Sequence, residues 1–154
     1  MNGGWLLCDF HIHTSYSDGS LSLNDVVNLY GGKSFDVISV TDHILDHRAF
    51  EICIKKDQDP MVINKSDFND YLHALWNESR RAWENFGMLL IPGVEITNET
   101  DGYHILAIDI KEYIEPGLPV EEIINRIHAQ GGIAIAPHPH RGALDGTQQL
   151  MYLW

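Results

Sequence analysis

The stretch WLLCDFHIHTSYSDG, at positions 5–19, decides the fold and indicates the chemistry. It begins with an apolar run that predicts a buried β-strand over 5–13 and ends in a polar turn containing Asp18. His11 and His13 are separated by one residue, and side chains at positions i and i+2 of a strand point to the same face of a sheet. Two imidazoles are therefore expected to project side by side from a rigid element, as a metal site requires.

Further short apolar runs predict four more strands, at 36–41, 88–97, 103–110 and 133–137. These runs are nearly continuous in apolar character, which is typical of strands that are buried on both faces of a parallel sheet.

Apolar residues at three- and four-residue steps predict helices at 23–30, 67–86 and 119–130. Ser22 and Ser66 are the predicted N-caps of the first two, and glycines follow all three. Trp76, Trp83 and Phe86 share the apolar face of the second helix and are predicted to belong to the core. The polar stretch 55–65 is predicted to be a loop.

Alternating strands and helices predict right-handed βα units in an α/β fold with a parallel sheet or barrel. About four or five such units fit into 154 residues, whereas a complete eight-stranded barrel needs about 250 residues. The chain is thus expected to be a smaller α/β fold or part of a barrel. No repeat or linker divides it, so residues 1–154 are taken as one domain.

The composition excludes several classes of protein. No apolar run approaches the ~18 residues of a membrane-spanning helix, and no signal peptide is visible at the N-terminus. Cys8 and Cys53 suggest reduced thiols and a cytoplasmic location. The net charge of −12 argues against duplex nucleic acid as the main partner. Nine histidines in 154 residues is a high count, and histidine is the commonest metal ligand.

Polar residues cluster at the predicted strand ends, where parallel α/β folds collect functional groups. His104 is the exception, since it starts its strand and fits only if that strand has an unusual register or direction. The residues that mark these positions are His11, His13, Asp42, His43, Glu95, His104 and His138. Together they predict a multinuclear metal site.

These motifs, HIHTSYSDG at 11–19, TDH at 41–43, GVEIT at 93–97, the stretch around His104, and GGIAIAPHPHR at 131–141, resemble the polymerase and histidinol phosphatase (PHP) superfamily. The resemblance implies a distorted (β/α)7 barrel that holds two or three divalent metals and hydrolyses phosphate esters. About five of its βα units are present in this chain, so the barrel is expected to be incomplete.

The resemblance also implies a set of metal ligands. His11 and His13 would hold one metal, with Glu95 as a bridge to a second metal held by His104 and His138. Asp18 and His43 would hold a third metal. Imidazoles and carboxylates without a thiolate suit Zn, Mn or Fe rather than Ca.

The end of the chain departs from the family pattern. The family supplies a late Asp-x-His, but after Arg141 this sequence offers only Asp145 and no histidine. Either the chain is a truncated barrel, or His47, water or another chain completes the ligand set. A truncated barrel would expose a sheet edge and apolar surface, including 150–154, so a homo-oligomer or an unstable monomer is expected.

Other residues have a functional and a structural interpretation. His140 and Arg141 would contact the phosphate of a small phosphorylated substrate, or be ordinary surface residues. Asp9 would orient a ligand or cap the strand end. Two rivals to the phosphoesterase remain: an amidohydrolase-like hydrolase, in which Glu95 would take the place of a carboxylated lysine, and a non-catalytic metal-binding module.

Overall fold

In the part of the chain that the structure describes, five strands form one curled sheet, half of a barrel, in the order in which they occur along the chain. The computed structural model describes residues 4–56 and 60–138. The strands are β1 (Cys8–Ile12), β2 (Val37–Leu45), β3 (Leu89–Asn98), β4 (Tyr103–Ile108) and β5 (Ile133–Ile135). The mixed α/β class is confirmed, whereas the count of seven βα units and the extent of the domain over 1–154 stay predictions.

Within the described ranges, four helices accompany the sheet: α1 (Leu23–Gly32), α2 (His47–Lys55), α3 (Phe68–Phe86) and α4 (Val120–Ala129). Ser22 caps α1 by accepting a hydrogen bond from the Asp25 amide, as predicted. Gly87 ends α3 in the left-handed conformation at φ 66°, also as predicted. The prediction of Ser66 as the N-cap of α3 is wrong, because Asp67 is the cap residue and its side chain makes no capping hydrogen bond. The loop prediction for 55–65 is confirmed for 56 and 60–65 but is wrong at Lys55. Lys55 is the last residue of α2, a helix that was not predicted.

The sheet is not fully parallel, which corrects the prediction. β1, β2 and β3 are parallel, but β4 is antiparallel to β3 and β5 is antiparallel to β4. The reason is the short connection 99–102 between β3 and β4, since a parallel return needs a crossover of about a dozen residues. The Asn98 side chain accepts a hydrogen bond from the Asp101 amide, and Gly102 has φ 72°. Together they close a hairpin.

The reversed direction of β4 resolves the anomaly of His104. The start of an antiparallel strand lies at the same edge of a sheet as the ends of its parallel neighbours. β5 is antiparallel to β4 and therefore runs in the same direction as β3. The residues that follow β5, including His138, are thus also brought to this edge.

The core lies between the sheet and the helices, and α3 supplies much of it. Phe68, Tyr71 and Leu75 are buried. Trp76, Trp83 and Phe86 are not core residues: their exposed fractions are 47%, 64% and 40%. The sequence prediction was wrong because the apolar stripe of α3 is wider than the strip of helix that the sheet and α1 cover.

Four strands differ in length from the prediction, and β4 and β5 are each two residues shorter, since they end at Ile108 and Ile135. β1 is shorter, since Trp5 is fully exposed and precedes the first paired residue. β2 continues to Leu45, so His43 lies within the strand rather than after it. None of the helices in the described ranges is long and apolar enough to span a membrane.

Candidate metal centre

Glu95 is the centre of the candidate site. Its side chain is almost fully buried, and its two oxygens face different histidines. Oε2 lies 2.9 Å from Nε2 of His11 and 3.1 Å from Nε2 of His13. Oε1 lies 2.7 Å from Nδ1 of His104 and 3.4 Å from Nε2 of His138. The carboxylate thus stands between two pairs of imidazoles, the geometry expected of a ligand that bridges two cations.

Strand register produces this arrangement. His43 on β2 is the direct partner of Glu95 on β3, so both side chains point to the same face of the sheet. His104 on β4 is paired with Thr97, two residues beyond Glu95 and therefore on the same face. His11 and His13 arrive from the end of β1.

A third group adjoins the first. Nδ1 of His13 lies 2.8 Å from Oδ1 of Asp18, and Nε2 of His43 lies 3.7 Å from Oδ2 of the same carboxylate. The Nδ1 atom of His43 lies 3.0 Å from the Thr97 hydroxyl and 3.6 Å from Oε2 of Glu95. These contacts at Nδ1 leave Nε2 of His43 facing Asp18.

The described residues contain three triads whose ligand atoms lie within 4.8 Å of one another. The triads are His11, His13 and Glu95; His13, Asp18 and His43; and Glu95, His104 and His138. The structure therefore brings together all seven residues that the resemblance implies. That they bind metal stays a prediction.

The charges of the cluster depend on one another. Burial alone would favour the neutral form of Glu95, but hydrogen bonds from His104, His11 and His13 outweigh it and hold its pKa far below the usual range. Burial would lower the pKa of His13 and His104, yet the hydrogen bond to Glu95 raises both. The pKa of His43 is lowered because burial outweighs its attraction to Glu95.

Asp42 has a structural role on the opposite face of β2. It is fully buried, and its carboxylate accepts hydrogen bonds from the Thr14 amide at 2.7 Å, the Thr14 hydroxyl at 2.7 Å and the Ser17 hydroxyl at 2.6 Å. The Tyr71 hydroxyl of α3 is 3.3 Å away. These bonds hold the loop that carries Asp18 against the sheet.

Gly19 closes the same loop. Its amide donates to the Thr14 carbonyl at 3.0 Å, and a Cβ at this position would lie 2.3 Å from the His13 carbonyl oxygen. Only glycine permits this approach without a shift of the backbone. Packing therefore explains why glycine follows Asp18, apart from the proposed role of Asp18 as a metal ligand.

Several candidate residues lie outside the cluster. The His47 side chain is 87% exposed and faces Glu51. It does not join His43 in the cluster, because His43 lies on β2 and no helical turn connects the two histidines. Asp9 accepts from the Tyr30 hydroxyl and the His11 amide, so it supports the backbone of β1 rather than a histidine ring. Asp109 is exposed. The proposed phosphate contacts at 140–141 and the apolar segment 150–154 lie outside the described residues.

Two neighbours of the cluster were missed by sequence reasoning. Thr97 contacts His43, and Oε1 of Glu99 lies 3.6 Å from Nε2 of His104. For Thr97 a signal was available, because it lies two residues after Glu95 on the same strand and so shares its face. Glu99 lies in the turn 99–102, whose conformation the sequence pattern does not specify.

A cavity of about 600 Å³ opens beside the cluster among the described residues. His43, His104, His138 and Asp18 line one end, and α2 forms one wall. The site is therefore continuous with a space large enough for a small molecule.

Solved structures of the same architecture carry related descriptions. A two-domain Bacteroides vulgatus protein containing a predicted PHP-like metal-dependent phosphoesterase is 26% identical, with a TM-score of 0.60; the match covers 88% of this chain and 36% of that one. A presumed metal-dependent phosphoesterase of Bifidobacterium adolescentis shares the fold, with a TM-score of 0.57 at 15% identity over 97% of this chain and 75% of that one. This chain spans about a third of the length of the Bacteroides protein.

In fold, the chain is similar to proteins described as PHP-like, which supports its resemblance to the PHP superfamily. Among curated proteins it is similar to the uncharacterized protein MJ1587 of Methanocaldococcus jannaschii, with 31% identity over 132 residues. That alignment covers 86% of this chain and 67% of the relative. No family model matches the chain.

Proposed function

We propose that this chain hydrolyses small phosphate esters with two or three divalent metal ions held by the three triads. The observation that carries the proposal is the division of the Glu95 carboxylate, with Oε2 facing His11 and His13 and Oε1 facing His104 and His138. A carboxylate placed in this way can bridge two cations about 3.5–4 Å apart, the spacing used for in-line phosphoryl displacement.

The residues present fit such ions. Within 4–56 and 60–138, every ion-pair partner of Glu95 is a histidine, and no lysine or arginine neutralises this buried carboxylate. A buried anion surrounded by imidazoles, which are metal ligands when neutral, is the donor set of a cation site. With no thiolate in the triads, Zn, Mn and Fe are the ions that suit it.

Ions bound here would supply a lowered pKa for water and positive charge opposite the phosphate oxygens. The positions of the metal ligands are set by contacts within the protein. Glu95 fixes the separation of the two imidazole pairs, Thr97 orients the ring of His43, and Asp42 anchors the loop of Asp18. His140 and Arg141 are proposed to bind the phosphate, and residues 1–154 are taken as one PHP domain.

The proposal is tested by metal analysis together with hydrolysis. Protein purified without chelator is expected to carry bound Zn, Mn or Fe by elemental analysis and to release phosphate from 4-nitrophenyl phosphate. Removal of metal by chelation should abolish the activity, and return of Mn²⁺ or Zn²⁺ should restore it.

His47→Ala is the matched control, because this histidine is exposed and lies outside the triads. It should leave metal content and activity unchanged. Protein that stays metal-free in excess Zn²⁺ or Mn²⁺ would contradict the metal centre. Full metal occupancy with no hydrolysis of any phosphate ester would instead favour a non-catalytic metal-binding module.

A further inference from the structure

One helix face forms the wall of the cavity beside the metal centre. Arg48, Ile52 and Lys56 line it at four-residue steps, a spacing that puts side chains on one face of a helix. Ala49 and Cys53 complete the same stripe. The wall is therefore apolar in its middle, with a cation at each end.

Arg48 and Lys56 are two of the five described cations that lack an acidic partner within ion-pair distance; the others are Lys33, Arg80 and Lys111. Neither Arg48 nor Lys56 has such a partner, although the chain carries 22 acidic residues against ten basic ones. The neighbouring Lys55 does have one, with its Nζ atom 3.7 Å from Glu51. Unpaired cations at a cavity wall in a protein of charge −12 favour an anionic ligand.

The remaining walls combine apolar and polar residues, including the carboxylates of Asp18 and Glu99, and lead to the candidate metal centre. Leu45, Met61 and Val62 contribute apolar surface, and His43 and His104 lie at the end that the cavity shares with the triads. A molecule with one group at the triads would thus place its body along α2, the wall that carries Arg48.

The two cations are too far apart to serve a single phosphate. Eight residues separate Arg48 from Lys56, which corresponds to about 12 Å along a helix axis at about 1.5 Å per residue. At least one of them is therefore available to a second group on the bound molecule.

We propose that this cavity binds the leaving group of the phosphate ester, and that this leaving group is an apolar body carrying a second anionic group bound by Arg48. The inference rests on the proposed function. The guanidinium of Arg48 suits a carboxylate or a second phosphate through two parallel hydrogen bonds, and Lys56 adds a point charge. In the hydrolysis, oxygen from water forms the new bond to phosphorus. The bond to the leaving oxygen breaks with its electron pair, and that oxygen takes up a proton to give the alcohol.

A matched substrate pair tests the assignment: a series of ω-carboxyalkyl phosphates against alkyl phosphates of equal chain length. The wild type is expected to have the higher kcat/KM for the carboxylated member at the length that reaches Arg48. Arg48→Ala should lower this kcat/KM about 10- to 100-fold, mainly through KM, because a charged hydrogen bond is lost. The kcat/KM for the alkyl phosphates should not change in Arg48→Ala. Lys56→Ala should also lower kcat/KM for the carboxylated ester, but by a smaller factor.

Lys55→Ala is the control, since it removes a cation from the same helix but outside the cavity lining. Lys55→Ala should leave kcat/KM unchanged for both the carboxylated and the plain alkyl phosphates. Binding of the corresponding ω-hydroxycarboxylate alone, measured by calorimetry, gives a readout that does not depend on catalysis and should weaken in Arg48→Ala.

The outcomes separate the two proposals. Equal losses for carboxylated and plain esters in Arg48→Ala, or no preference of the wild type for the carboxylated series, would overturn the assignment of the cavity. Arg48-dependent binding of the hydroxycarboxylate in a protein that hydrolyses no ester would support the anion site while contradicting the proposed function.

Discussion

The two sides of the Glu95 carboxylate are built in different ways. Oε2 faces His11 and His13, which come from the end of a parallel strand at the start of the chain. Oε1 faces His104, which begins an antiparallel strand, and His138, which lies three residues beyond the short strand β5. One carboxylate therefore joins a side made by parallel strands to a side made by a reversal of the chain.

The supports of the two sides also differ. On the Oε2 side, Asp42 anchors the loop of Asp18 through bonds to Thr14 and Ser17. On the Oε1 side, Asp46 holds the β3–β4 turn by accepting from the Thr100 hydroxyl at 2.6 Å and the Glu99 amide at 3.2 Å. The comparison indicates that the two sides depend on each other through Glu95 but are held in place by separate hydrogen-bond networks.

Substitution of the shared carboxylate is expected to have the largest effect, because it removes a ligand from two triads at once. Glu95→Gln should lower bound metal to a small fraction of the wild-type value and reduce phosphate-ester hydrolysis by more than about 100-fold. Elemental analysis and initial rates measure the two effects. Glu99→Gln, a change of the same kind beside the cluster, is the control and should retain most of the metal. Wild-type metal content in Glu95→Gln would remove Glu95 from the site.

Single histidine variants should distinguish metal binding on the Oε2 side of Glu95 from metal binding on the Oε1 side. His13 belongs to two triads, with Glu95 and with Asp18, whereas His138 belongs to one. His13→Ala should therefore release more metal per chain than His138→Ala, which should weaken only the Oε1 side. Titration of metal-free protein with Zn²⁺ measures the number and affinity of the sites. Identical losses in the two variants would show that the sides do not bind independently.

The smallest expected effect is on the free energy of unfolding and its pH dependence, and it comes from Asp46, which holds the turn on the Oε1 side. Although burial alone would raise it, the pKa of Asp46 is lowered because its carboxylate accepts hydrogen bonds from Thr100, Ala49 and Glu99. A lowered pKa in the folded state gives stability that is complete above the unfolded value, about 4, and is lost as pH falls through the folded value. Asp46→Asn should lower the free energy of unfolding by about 1–2 kcal/mol at pH 7, since an amide group would then face a donor. Below about pH 4 the difference from the wild type should shrink.

Urea unfolding at pH 7 and at pH 3 provides the measurement. Asp109→Asn is the control, since its carboxylate is exposed and the change preserves the residue's left-handed backbone preference at φ 58°. It should leave the unfolding midpoint unchanged. A difference between Asp46→Asn and the wild type that is the same at both pH values would assign the effect to packing rather than to the ionised carboxylate.

Much of the fold follows from short-range rules. Ser22 begins a helix and Gly87 ends one because capping and left-handed backbone conformation depend on a few neighbouring residues. The sequence pattern left the direction of β4 open, although the four-residue connection with Asp101-Gly102 contained the signal for a hairpin. Trp83 was assigned to the core because periodicity defines a face but not how wide a strip of it is covered.

In the candidate site, too, some features follow from short-range sequence patterns and others depend on tertiary packing. The spacing of His11 and His13 already predicts two imidazoles on one face, and the family resemblance supplies the grouping of the other ligands. No spacing rule indicates that Asp42 faces away from the cluster and holds the Asp18 loop. None places Arg48 beside the cavity, since α2 itself was not predicted.

The sequence by itself determined which residue types stand at the strand ends, where α1 begins and where α3 ends, and it predicted chemistry of the metal-ligand kind. Only the tertiary structure decided that Glu95 divides its oxygens between two pairs of histidines, because that depends on the register of β2, β3 and β4. The physical reason is that caps and side-chain alternation depend on residues close in the chain. Strand direction, burial and the convergence of ligands depend instead on which distant segments pair.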